Sequence, residues 1–246
     1  MWTREQLKTK SKAAFFRNYW ITVLAGLIFT AINYSPVSGR NSYDTVTDYV
    51  QNTDSGSIID QISSNILVMG VVFFIVAGLA VMVAKIFIGN LLYIGCERFF
   101  MENSEKKASL KLVLAGFNSG EYGKKVLTMF LRGLYTTLWS LLLIIPGVIK
   151  SYEYSMIPYI LAENPNISRE RAFQISKAMM MGQKANAWVL DLSYIGWEIL
   201  GALTLGIVNV FFVTPYHEGA WVELYKVNRE KVLQSNEATP MELPGF

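Results

Sequence analysis

Between Ile66 and Ile94 the chain is apolar almost without interruption, broken only by Lys85 and Asn90. A helix rises about 1.5 Å per residue, so about 20 such residues reach across the roughly 30 Å hydrocarbon core of a bilayer. A soluble fold does not normally need four such runs, and three more follow. Further runs cover Val126 to Ile145, with Arg132 inside it and Pro146-Gly147 at its end; Ala187 to Leu203; and, after Thr204-Leu205-Gly206, Ile207 to Tyr225. Tyr19 to Ile32 is shorter, and Val148 to Ala162 is short and richer in polar groups. Composition agrees: 17% of the 246 residues are charged, against about 25% in an average soluble chain. Cys96 is the single cysteine, so no disulfide framework exists, and a net charge of +3 is too small to suggest nucleic acid.

Cations orient the runs, because Lys and Arg concentrate in short cytoplasmic loops. Arg4, Lys8, Lys10, Lys12 and Arg17 precede the first segment and put the N-terminus inside. The next connection, Tyr34 to Asp60, sets Arg40 against Asp44, Asp48, Asp54 and Asp60 and reads as external. Cations at Arg98, Lys106, Lys107, Lys111, Lys124 and Lys125 mark an inner loop, as do Arg169, Arg171, Lys177 and Lys184. Lys226, Arg229 and Lys231 place the C-terminus inside. Six crossings satisfy this alternation, with Val148–Ala162 returning through the membrane or re-entering beside Pro146-Gly147. The first segment also has the build of a signal peptide, but Asn33-Tyr34-Ser35-Pro36-Val37 offers no small-x-small cleavage site, so it is read as retained.

Several stretches between the runs are amphipathic. Thr3-Arg-Glu-Gln6 is a capping box opening a basic helix over residues 1–18. Leu110, Val113, Leu114 and Phe117 make a helical stripe, and Ser168 caps a helix whose apolar side holds Ala172, Ile175 and Met179. On the inner face such helices either cover the bundle ends or lie on anionic headgroups. Met179-Met180-Met181 reads as adaptable packing.

Charges at membrane depth each ask for a partner or a water-filled cavity. They are Lys85, Arg132, Lys150, Glu153, Asp191, Glu198 and Glu218, with His217 as a switch candidate. Arg132, Asp191 and Glu218 lie roughly 7–12 Å in from the inner ends of their helices, with Lys85 slightly deeper, and the spacing pairs Arg132 with Asp191. Arg132, Thr136 and Ser140 share a helix side, as do Asp191, Tyr194 and Glu198. Two readings stand side by side: interhelical ties, or the lining of a cavity for a polar substrate, a proton or a lipid headgroup.

Enzyme motifs fail. His217-Glu218-Gly-Ala-Trp221 has Trp where a zinc helix needs its second His. The phosphate-loop pattern around Gly123-Lys124 lacks its first glycine and its hydroxyl, and there is no nucleophile elbow. No metal site, cofactor site or catalytic residue is expected.

The block Ile144-Ile-Pro-Gly-Val-Ile-Lys-Ser-Tyr-Glu-Tyr-Ser-Met-Ile-Pro-Tyr159 resembles the domain-of-unknown-function 975 family of integral membrane proteins, found chiefly in Gram-positive bacteria. Trp2-Thr-Arg-Glu, Gly95-Cys-Glu-Arg-Phe-Phe100, Ser193-Tyr-Ile-Gly-Trp197, Thr204-Leu-Gly-Ile207 and Pro215-Tyr216 support it; Gln183 departs from it, where the family carries His. The resemblance implies a multi-pass protein of the bacterial inner membrane and supplies no activity. Pro146-Gly147 and Pro158 break the helix within the block, leaving Lys150, Tyr152, Glu153 and Tyr154 either in a tight hairpin or at a binding site.

The expected architecture is all-α and polytopic, one helical membrane domain over residues 1–232 with a polar external loop at 34–60 and a flexible cytoplasmic tail at 233–246. The expected function is non-enzymatic: a binding, accessory or immunity-like membrane component meeting anionic headgroups on its inner face and another membrane protein or transporter. The alternative is a small transporter or lipid-handling carrier that uses the broken 146–158 segment and the charge cluster.

Overall fold

The computed structural model describes residues 2–33, 58–118 and 121–246, and they are helical with no strand among them. The loop expected at 34–60 lies outside the described residues except for 58–60, which open a helix.

Helix α1 (Arg4–Arg17) begins with the expected box: the Thr3 hydroxyl accepts from the Gln6 N–H, and the Gln6 side chain accepts from the Thr3 N–H. It ends at Asn18, where the chain bends by 108° into α2 (Tyr19–Asn33). The bend is pinned by amides. Asn18 donates to Asn103 Oδ1 and the Ala108 carbonyl, and Asn103 donates to the Ala14 carbonyl and the Thr22 hydroxyl.

Helix α3 (Ile58–Ala84) passes through a π-helical turn, Lys85–Gly89, into α4 (Asn90–Glu105). The turn begins at one polar interruption of the apolar run, Lys85, and ends just before the other, Asn90. From Val68 to Ile88 nearly every side chain is exposed; from Leu91 onward Ile94, Cys96, Phe99, Phe100 and Met101 are core. One rod therefore stands half outside the packed bundle and half at its centre. Residues 110–118 fold against α4 backbone to backbone. A Cβ at Gly95 would meet the Val113 carbonyl carbon at 2.6 Å, and one at Gly116 the Leu91 carbonyl carbon at 2.9 Å. The stripe in this stretch is only partly used: Val113 is buried, Leu114 is not, and Leu110–Leu114 winds as a 3-10 helix.

Helix α5 (Tyr122–Leu142) meets α6 (Ile144–Glu153) at one extended residue, Leu143. The break was expected after Pro146-Gly147 and falls before it. Proline is tolerated in a first helical turn, whose N–H groups have no intrahelical acceptor, so Pro146 starts α6 instead of ending α5. Gly147 then lets the two legs close, since a Cβ there would sit 2.6 Å from Ser140 Cα. Pro158 likewise sits in the first turn of α7 (Ile157–Glu163).

Ser168 caps α8 (Arg169–Met179) as expected, and Ala172, Ile175 and Met179 are fully buried. The run expected as one span at 187–203 is cut at Ser193-Tyr194 into α9 (Lys184–Leu192) and α10 (Ile195–Leu203). Leu205 and Gly206 then turn the chain through left-handed conformations, φ 53° and 85°, with Leu205 94% exposed. A π-helical turn at Asn209–Val213 leads into α11 (Thr214–Gln234), against which α1 packs most extensively.

Residues 233–246, expected as a flexible tail, fold back onto the bundle. Ala238 and Leu243 are buried, Glu242 grips Arg171 (Nε–Oε1 2.6 Å, Nη2–Oε2 3.0 Å), and the Gly245 N–H donates to Glu163. Arg171 holds the Glu242 carboxyl down at about 2.

By length and composition one helix, Val68–Glu105, can cross a membrane, or two segments if the bent α1–α2 pair counts as one. Six full spans are not supported. Helices α6, α9 and α10 have 10, 9 and 9 residues, each about 15 Å long, half of a hydrocarbon core. Helix α5 has the length but carries Lys124, Lys125 and Arg132.

Candidate functional site: a charged cavity inside the apolar bundle

Five parts of the fold converge on a cavity of about 190 Å3. Tyr93 comes from α4, Arg132 from α5, Ser155 and Tyr159 from the α6–α7 junction, Asp191 from α9, and His217, Glu218 and Trp221 from α11. Arg132 reaches it because α5 packs against α4 and α7. The 217–221 spacing puts His217 and Trp221 one turn apart on α11.

Asp191 is the hub. It accepts from the Tyr152 hydroxyl (2.6 Å) and the Trp221 indole N–H (2.9 Å), and His217 Nε2 stands 3.0 Å from it. His217 Nδ1 lies 3.4 Å from Glu218, so the imidazole bridges two carboxylates and makes both contacts as donor only when doubly protonated. Trp221, the residue that spoils the zinc-helix spacing, thus serves the same carboxylate that the histidine does. Tyr152 and Trp221 stack with centroids 6.2 Å apart.

Arg132 does not pair with Asp191, as its depth had suggested. Its Nε donates to the Tyr154 carbonyl (2.9 Å), and its guanidinium lies over the Tyr93 ring, 5.9 Å from the centroid. Depth along a helix is set by rise per residue, whereas the direction a side chain faces is set by packing. Behind the cavity lies Glu97, fully buried, with the Tyr93 and Tyr159 hydroxyls beside it and Glu218 and Arg132 within electrostatic reach.

The other expected members separate. Lys85 is exposed on the π-helical turn and Glu198 is exposed on α10; neither lines the cavity. Lys150 and Glu153 form a different cluster with a cation on each carboxylate oxygen: Lys150 at 2.8 Å and Lys184 at 2.7 Å. Lys150 also faces the rings of Trp139 and Tyr154, each 5.7 Å away. That cluster is closed, a tie between α6 and the start of α9. A second tie joins Glu163 to Arg229 (2.8 Å), to the Tyr225 hydroxyl (2.5 Å) and to Gly245. Sequence reasoning passed over Glu97, Tyr93, Tyr159, Lys184 and the Glu163–Arg229 pair. Glu97 alone left a signal, an acid three residues beyond the end of the longest apolar run.

Residues 141–231 match the family model described as "Protein of unknown function (DUF975)". The family resemblance is shown over that segment. The matched segment supplies Ser155, Tyr159, Asp191, His217, Glu218 and Trp221 to the cavity, while Tyr93 and Arg132 come from the part of the chain before it. Gln183, where the histidine was expected, accepts a hydrogen bond from the Trp2 indole (3.0 Å). No curated protein and no solved structure matches the chain.

Proposed function

We propose that this chain is a multi-pass protein of the bacterial cell membrane that acts without catalysing a reaction, by holding a small polar ligand in the cavity around Asp191. Helix α2 and the α3–α4 rod cross the bilayer, the α5–α6 and α9–α11 hairpins enter it, and both termini stay inside. Exposed apolar side chains support that placement. They run along α3 from Val68 to Val83 and crown the hairpin tips, Leu141–Ile145 and Leu203–Ile207, a surface that water does not tolerate at this extent. On the inner face Arg4, Lys8 and Lys12 line a groove between α1 and the α9–α10 turn, suited to anionic headgroups.

The observation that carries the reading is that Arg132 and the Asp191–His217–Glu218 network line one open pocket without joining across it. Ties alone are already provided by Glu153 and Glu163, whose carboxylates are saturated by cations and hydrogen bonds. This moves the carrier reading ahead of the accessory or immunity-like one, in which a dry, fully paired core is expected.

Two measurements test it. In membranes washed with alkaline carbonate the protein should stay in the pellet; extraction would refute bilayer insertion. A Ser155→Cys variant should react with a water-soluble methanethiosulfonate, while the parent chain, whose one cysteine (Cys96) is fully buried, should not. An unreactive Cys at 155 in folded protein would mean that the cavity is closed, and the reading fails.

A further inference from the structure

We infer that the cavity takes a zwitterion, a molecule or headgroup with an ammonium a few ångströms from a phosphate or carboxylate. The inference rests on the reading of the cavity as a ligand site. Its starting point is a pair of opposite charges that share one cavity and do not meet. Arg132 and the carboxylates of Asp191 and Glu218 all line the space, yet none of the ion pairs among the described residues joins them. Opposite charges in a partly dry site attract more strongly than in water, so a gap between them is space for something carrying both signs.

Each wall matches one end of such a ligand. A guanidinium has five N–H donors in a planar fork suited to carboxylate or phosphate; at Arg132 the Nε donor is used on the Tyr154 carbonyl. The facing wall holds two carboxylates bridged by one imidazole, an acceptor-rich surface even when His217 is protonated. Trp221 and Tyr159 add ring surface, the surroundings in which ammonium groups are bound, while the Tyr93 ring lies under Arg132. A simple cation would meet Arg132, and a simple anion would meet Asp191 and Glu218; a zwitterion satisfies both walls. The volume, about 190 Å3, holds about six waters at roughly 30 Å3 each. That is room for a unit the size of phosphoethanolamine or a small amino acid.

The test uses the full chain purified in detergent and needs no variant for its first arm. Equilibrium dialysis measures binding of labelled phosphoethanolamine and its displacement by ethanolamine or by inorganic phosphate. Each half should compete at least about ten-fold more weakly than the whole, since each leaves one charged wall unmet. Arg132→Gln and Asp191→Asn, checked for a monodisperse profile, should each weaken binding by about ten-fold. The second arm separates the sources of the headgroup chemistry. Ser155→Cys labelling slowed in phosphatidylethanolamine discs relative to phosphatidylglycerol discs assigns the site to a lipid headgroup; unslowed labelling together with dialysis binding assigns it to a free molecule. Either half competing within about two-fold of the whole overturns the inference, as does no binding in both arms. If Cys at 155 is still labelled in that event, the cavity reading survives and only the ligand class falls.

Discussion

Gly95→Ala sets two effects of known sign against each other. Glycine in a helix interior costs about 1 kcal/mol relative to alanine, so on propensity alone the substitution stabilises α4. The new methyl, however, would meet the Val113 carbonyl carbon at 2.6 Å and Val113 Cα at 3.1 Å. Carbon atoms pack at about 3.5 Å or more, so α4 and the 110–118 segment must part by about 1 Å. Backbone stands on both sides of this contact, so no side chain can swing away. Overpacking of this kind costs about 1–3 kcal/mol, and a backbone-to-backbone case belongs at the upper end. The net expectation is a loss of about 2 kcal/mol, or about 4–8 °C in midpoint for a chain of this size. Thermal unfolding of purified protein, followed by the monodisperse fraction on size exclusion, reads it directly. Gly133→Ala is the control: it lies inside α5 with nothing within 4 Å of its Cβ, so it should be neutral or stabilising. Gly116→Ala, against the other side of the same contact, should add less than its own cost to Gly95→Ala, because the faces are already apart. A Gly95→Ala protein as stable as the parent would refute the backbone-to-backbone packing.

Two further perturbations probe the ends of the argument. Glu242, held at about 2 chiefly by its hydrogen bonds from Arg171, contributes stability that is present above the ordinary carboxyl value of 4.5 and is lost as pH falls toward 2; limited proteolysis should release residues 235–246 across that window. The contribution should be about 1 kcal/mol, since the pair is partly solvated, and Glu242→Gln should abolish the pH dependence; a tail equally protected at both ends of the window would contradict the clamp. Exchanging charges in Arg132→Asp with Asp191→Arg should not restore protein lost in either single variant. The Trp221 indole that serves Asp191 is a donor only and has nothing to offer an arginine, at a cost of about 2 kcal/mol for one hydrogen bond to a charge. Recovery of the double variant in membranes would mean that the two residues pair after all.

What was legible beforehand was local. The Thr3–Gln6 box, the Ser168 cap and the Ala172–Ile175–Met179 stripe depend on residues within two turns of one another, and each is present in the fold. Arg132, Asp191 and Glu218, set at similar depth by a nearly constant rise per residue, line one cavity. Depth misplaced Lys85, because facing is decided by which neighbours a helix meets, and helix spacing misplaced Glu198, because the run is cut at Ser193-Tyr194. Pro146-Gly147 signalled a break whose position depended on whether the proline closes one helix or opens the next. Glu97 was out of reach: Tyr159 and Glu218, beside it or within electrostatic reach, lie on α7 and α11, more than 60 residues away. The docking of 235–246 was hidden for the same reason, since Glu163, Arg171 and Arg229 look like ordinary surface charges until the tail is seen against them.

The packing of α1 on α11 has a consequence in time. About 200 residues separate these two helices, and chains are made at about 5–20 residues per second. The first helix therefore waits about 10–40 s for its principal partner to be synthesised. During that interval Leu7, Ala14 and Phe15, buried in the finished protein, have nothing of the chain's own to cover them on that side. On the membrane placement proposed above, the cations of α1 beside Leu7 and Phe15 would let the helix rest on the inner leaflet until α11 arrives.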